Sequence, residues 1–198
     1  MLGTRSPDDV DEKRGRAPSL AEWLAGTGNK ARLGTFAEAA AHGEVVINAT
    51  SGMGSLEALR LAGEANLDGK ILMDIANPLD FSGGMPPILS VCNTDSLGEQ
   101  IQRAFPKAKI VKTLNTTNAM VMVDPSRVAG GEHDLFVSGN DAEAKARVTE
   151  LLKAWFGWRS VIDLGDITTA RGAEMILPMW LRLWGALGTP MFNFRIAR

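Results

Sequence analysis

The sequence predicts an α/β fold built on a doubly wound, mostly parallel sheet, and three observations predict it. The first is a set of five short apolar runs: Glu44–Ala49, Lys70–Ala76, Lys109–Leu114, Asp134–Val137 and Ser160–Leu164. They are near-continuously apolar rather than alternating, which suits strands covered on both faces. The second is the helical segments between most of these runs. Thr35 with Glu38, Ser96 with Glu99, and Asn140 with Glu143 have the spacing of an N-cap and its reciprocal carboxylate. The third is the stops: the helix after Ser96 should end at Pro106, and the one after Asn140 at Gly157. Strand, capped helix and strand repeat along the chain, which is the doubly wound pattern.

Two segments break the alternation. Asn77 to Thr94, NPLDFSGGMPPILSVCNT, is too long and too rich in Pro and Gly to be a plain connection, and is expected to be functional. From Thr168 onward a helical stretch carries Trp180 and Trp184, one turn apart on one face, before a short tail from Phe192 to Ile196. Core or dimer packing is the expected use of those rings.

Composition narrows the function. At 198 residues one core with a small appendage is expected, and 45% apolar with 22% charged residues is ordinary for a soluble globular chain. A net charge of −2, with scattered basic residues, argues against a nucleic-acid surface. Met175–Leu187 carries Pro178 and Arg182 and is too short to span a bilayer, so no membrane partner is expected. Met1 to Pro18 is polar and acidic, unlike a signal peptide. The single cysteine, Cys92, can form no internal disulfide, which fits a cytoplasmic location. His42 and His133 have no second ligand or nucleophile at catalytic spacing and read as structural or surface residues. No metal cluster and no hydrolase nucleophile is expected.

Two segments mimic the dinucleotide turn G-x-G-x-x-G/A. Gly26-Thr27-Gly28-Asn29-Lys30-Ala31 follows a helical segment, whereas the turn must be delivered by a strand. The second, Thr50-Ser51-Gly52-Met53-Gly54-Ser55, does follow a strand, and a helix is expected to begin after it, near Leu56. Asp74 comes 22 residues after Gly52, where a ribose-binding acid would stand. Against this reading, Glu57 occupies the place of the third small residue. The residues alone leave it open.

The opening Leu2-Gly3-Thr4-Arg5-Ser6 is followed by DIANPLDFSGGMPP, SVCNTDSLGEQIQRAFP, KIVKTLNTTNAMVM, FVSGNDAEAK and IDLGDITTARGAEMILPMWLRLWGALG. In this order, over essentially the whole chain, they resemble the coenzyme F420-dependent NADP oxidoreductases. The resemblance implies a Rossmann-like sheet, with residues 1–166 as the NADP-binding part. It implies residues 167–198 as a C-terminal helix and tail at the acceptor cleft or a dimer contact. It implies hydride transfer between NADP and F420, a small-molecule acceptor and a homodimer. Members begin with a strand, a glycine-rich turn and a helix, so Leu2–Arg5 corresponds to the end of their second strand. An upstream unit on the order of 25–30 residues is therefore expected. Residues 1–198 alone are expected to bind NADP weakly, with a mobile tail to about residue 18.

Carried over by position, the cofactor contacts fall on Thr4, Arg5, Thr50, Gly54, Asn77 and Ala119. Thr4 and Arg5 would take the 2′-phosphate, since a cation after the second strand selects NADP. Asn115 and Thr116 share the same edge and could place the nicotinamide or cap a turn. No general acid or base is named, because the hydride chemistry belongs to the cofactors. The deazaflavin is expected under the loop after Asn77 and the helix around Leu177 and Pro178. An NADPH-dependent reductase of a flavin, quinone or small imine would keep the same NADP site. Pyrroline-5-carboxylate reductase has a similar cofactor domain but adds a helical domain for which the roughly thirty residues after the last strand are too few. A non-catalytic dimerising remnant is the third reading.

Overall fold

A computed structural model describes residues 1–8, 10, 19–26, 28 and 30–198. In chain order the elements are β1 (Leu2–Thr4), α1 (Leu20–Gly26), β2 (Leu33–Thr35), α2 (Phe36–His42), β3 (Val45–Asn48), α3 (Gly52–Ala62) and α4 (Glu64–Leu67). Next come β4 (Ile71–Asp74), β5 (Leu79–Asp80), β6 (Ile88–Leu89), α5 (Leu97–Ala104), β7 (Lys109–Thr113) and α6 (Ala119–Val123). The last are β8 (Asp134–Ser138), α7 (Ala142–Phe156), β9 (Ser160–Gly165), α8 (Ala170–Met175) and α9 (Leu177–Leu187).

All five predicted strands form, and they make one sheet in the order β3-β4-β7-β8-β9. β3, β4 and β7 are parallel, β8 runs antiparallel to β7, and β9 is parallel to β8. Burial explains the apolar runs: alternate residues feed two cores, one on each face. Leu72 and Ile110 pack with Leu59, Ile101 and Ile167 on one side; Met73 and Val111 pack with Leu135, Val148 and Trp158 on the other.

The caps decide where helices begin. Thr35 and Glu38 form the expected reciprocal box, and the Ser96 hydroxyl accepts from Glu99 N at 3.1 Å. The third cap is one residue later than predicted. Asp141, not Asn140, caps α7, accepting from Ala144 N at 2.7 Å. Asn140 instead accepts from Ile167 N, 27 positions away, which a local pattern cannot reveal. Both stops hold: α5 closes just before Pro106, and α7 ends on Gly157 in the left-handed conformation.

β1 and β2 form a separate parallel pair, Leu2 opposite Leu33 through Thr4 opposite Thr35. Leu2–Thr4 is thus paired strand, not the mobile tail expected there; residues 9 and 11–18 lie outside the described residues. The candidate turn Gly26–Ala31 is only partly described, since Thr27 and Asn29 also lie outside them. Between this pair and β3, over α2 and α3, lies a cavity of about 530 Å³ whose lining includes Leu2, Gly3, Val46, Asn48, Thr50 and Leu59.

Candidate active site

The carboxyl ends of β1, β3, β4 and β7 carry the predicted contacts, as open α/β sheets place their ligands. Thr4 closes β1 and is half-buried. Arg5 follows it with 65% of its side chain exposed, and a long 3.8 Å contact joins it to Glu57 on α3. An exposed pair of this kind contributes little to stability, so the guanidinium is available to an anion.

Thr50 follows β3. Its hydroxyl donates to Asn48 Oδ1 at 2.7 Å and lies 2.9 Å from Ser55 Oγ. Gly52 begins α3 against the turn after β4: a Cβ there would overlap the Asn77 carbonyl. Gly54, half-buried in the first turn of α3, has open space where its Cβ would be. Asn77 and Asn115 hold the β4 and β7 ends together. Asn77 Nδ2 donates to Asn115 O at 2.8 Å, and Asn115 Nδ2 donates to Asn77 Oδ1 at 3.0 Å. The same Asn115 Nδ2 reaches Ala173 O on α8 at 3.0 Å. Ala119 opens α6, capped by Asn118, whose side-chain oxygen accepts from Met120 N at 2.9 Å. Gly52 packs the start of α3, between Thr50 and Gly54, against Asn77; Arg5 touches α3 at Glu57; Ala119 is exposed at the start of α6.

The reading of Thr50–Ser55 as a phosphate turn with Asp74 on the ribose is overturned at Asp74. That carboxylate is fully buried, and it binds Lys112 Nζ at 2.8 Å and Asn48 Nδ2 at 2.8 Å. No ribose can reach it.

Lys112 and Glu174 were missed by the sequence reading. Lys112 lies inside an apolar run and is 1% exposed, with Glu174 Oε1 at 2.9 Å. Burial alone would lower its pKa, but Asp74 and Glu174 beside it hold the ammonium above its ordinary value. A lysine inside the stretch KIVKTL was the available signal.

His133 is structural: its Nε2 lies 2.9 Å from Pro125 O, its Nδ1 accepts from Asn193, and its ring meets Trp158 edge-on. Trp180 stacks on Phe192 with centroids 5.1 Å apart and lies 5.7 Å from Trp184, so the C-terminal rings pack on one another.

The residues present fit a phosphorylated dinucleotide at its two ends. Arg5 offers an open fork of donors for a phosphate. At the other end the Thr116 and Thr117 hydroxyls are buried with no hydrogen-bond partner among the described residues, beside Asn115. A second cavity, of about 670 Å³, opens between Met85 and Pro86 of the long loop and Leu181, Arg182, Trp184 and Gly185 of α9. Its helical wall lies one turn beyond the expected Leu177, which is itself buried.

No family model matches the chain. It is 27% identical over 190 residues to the F420-dependent NADP reductase of Methanocaldococcus jannaschii, covering 92% of this chain and 80% of that one. A crystal structure from Arthrobacter sp. FB24, provisionally named an F420-dependent NADP-reductase, superposes with a TM-score of 0.93 at 63% identity. That match covers 99% of this chain and 87% of the other. The imine reductase of Myxococcus stipitatus, solved with NADP+, shares the fold at 17% identity and a TM-score of 0.53, over 84% of this chain and 52% of its own. With 63% identity over nearly its whole length to one such protein and the Methanocaldococcus reductase alongside, this chain belongs to the F420-dependent NADP reductase family.

Proposed function

We propose that the chain transfers a hydride between NADPH and the deazaflavin coenzyme F420. The observation that carries this is the near-complete correspondence with the Arthrobacter structure at 63% identity. The geometry supports it with an exposed Arg5 at one end of the strand edge and a cavity between the long loop after Asn77 and α9. When bound, the nicotinamide and deazaflavin rings supply the hydride donor and acceptor. The chain's own residues bind, orient and exclude water. Thr4 and Arg5 take the 2′-phosphate; Thr50, Gly54 and Asn77 border the dinucleotide; Ala119 and the Asn77–Asn115 pair stand at the nicotinamide end. The loop carrying Met85 and Pro86 and the face of α9 carrying Leu181 and Trp184 enclose the deazaflavin.

Residues 1–166 serve as the NADP-binding part and 167–198 as the wall of the acceptor cleft. Exposed Met179, Trp184 and Leu187 on α9 support a homodimer contact on the same segment. Among the described residues no helix is long and apolar enough to cross a membrane, and we place the enzyme in the cytoplasm. The test is NADPH oxidation with F420 beside a flavin, a quinone and a cyclic imine, with light scattering for the oligomer. Turnover with F420, faster from NADPH than from NADH, is expected. Turnover with another acceptor and none with F420 would reassign the acceptor.

A further inference from the structure

Across the sheet, polar side chains stand in register just below the carboxyl edge. Asn48 pairs with Asp74, Asp74 with Lys112, and Lys112 with Ser138. Asp74 and Lys112 lie two residues beyond Leu72 and Ile110, on the same face as that core. Glu174 of α8 closes the set from above. The three N–H groups of Lys112 meet three acceptors: Asp74 Oδ2 at 2.8 Å, Glu174 Oε1 at 2.9 Å and the Ala76 carbonyl. Asp74 Oδ1 also accepts from Asn48 Nδ2 and Ala76 N. Glu174 accepts from Leu97 N at 2.8 Å and Gly98 N at 3.0 Å, the first amides of α5. All three charged side chains are at most 1% exposed.

Buried charge sets of this kind are weak contributors to stability, since apolar replacements are often neutral. Their use here lies in what they hold. Asp74 is three residues before Asn77, Lys112 three before Asn115, and Glu174 directly follows Ala173, whose carbonyl Asn115 binds. Asn48 extends the set to Thr50. Each charged residue therefore anchors one member of the Asn77–Asn115–Ala173 cluster, and α8 leads directly into α9, the wall of the second cavity.

We propose that Lys112, with Asp74 and Glu174, is a positioning residue for hydride transfer: it fixes the α8–α9 wall against the strand ends that hold the nicotinamide. This rests on the functional reading above. Glu174→Gln removes one charge while keeping the side chain's size. Its NADPH affinity by calorimetry should be unchanged, while kcat falls on the order of 10–100-fold, as a misplacement of about 1 Å can cause. The primary isotope effect with 4-deuterated NADPH should rise, and amides of residues 170–187 should exchange faster than in the wild type. A lowered melting temperature with kcat and isotope effect unchanged would overturn the proposal, and so would unchanged exchange in residues 170–187, whatever the acceptor. Should Glu174→Gln fail to fold, Glu174→Asp, which keeps the charge and shortens the reach, is read by the same measurements. Wild-type turnover is measured first across the acceptor panel. Failure with F420 but success with another acceptor removes the acceptor assignment alone, and the variants are then compared with that acceptor.

Discussion

At Gly52 a single added carbon would strike the backbone carbonyl of Asn77, whereas at Gly54, two residues on, it would meet open space. The two glycines therefore have different reasons to be there. Gly52→Ala should destabilise the fold by about 1–3 kcal/mol, the usual cost of overpacking against a neighbour that cannot move. Gly54→Ala should stabilise the helix by up to about 1 kcal/mol yet weaken NADPH binding; urea melts and calorimetry read the two effects separately. Arg5→Ala tests the phosphate contact. It should cost about 1.5–3 kcal/mol of NADPH binding, the range for charged hydrogen bonds, and leave NADH binding nearly unchanged. Equal losses for both coenzymes would place Arg5's role elsewhere. The pattern Gly52-x-Gly54 with a distant Asp74 looked like a complete nucleotide unit in sequence. Only burial shows Asp74 turned inward to Lys112, because the spacing from Gly52 to Asp74 does not say what covers the strand end.

Helices here are read best at their ends and worst where a cap has two candidates. Asn140 and Asp141 are both good N-caps. The choice falls to Asp141 because Asn140 is taken by the backbone of Ile167. Asp141→Ala should cost about 0.5–2 kcal/mol in denaturant titration. Asn140→Ala should leave α7 intact and instead speed amide exchange at Ile167. If the two variants exchange these effects, the cap assignment is wrong. The long loop after Asn77 was legible as an interruption but not as a hairpin, since β5 and β6 are two residues each and pair only through Leu79–Leu89 and Asp80–Ile88. Strands that short leave no hydrophobic period to detect.

On the scale of the whole molecule, carboxylates around α5 contribute to the acid limit. The Arg103 guanidinium, hydrogen-bonded to Asp95, holds that carboxyl from its ordinary 3.8 down to about 2. Arg171 lowers Glu99 in the same way. Depressed folded-state pKa values contribute stability that is present above the unfolded values and is lost as pH falls through the folded ones. The urea midpoint should thus hold near neutrality and fall between about pH 4 and pH 2, less steeply in Arg103→Ala. Both ion pairs are partly exposed, so added salt should shrink the effect. An equal slope in the variant would remove Asp95 from the account.

By itself the sequence determined the five strands of the main sheet, the starts of α2 and α5, the stops of α5 and α7 and the kind of sheet, because these depend on local apolar period and on capping chemistry. Its likeness to a family supplied Thr4, Arg5, Thr50, Gly54, Asn77 and Ala119 as candidates. Tertiary structure alone decided that Asp74 faces Lys112, that Glu174 caps α5 from another helix, and that Asn77 and Asn115 clasp each other 38 positions apart. Those pairings follow from strand register and from helices folding back over a sheet. A buried charge reveals its purpose only when its partners, distant in the chain, stand within hydrogen-bond reach.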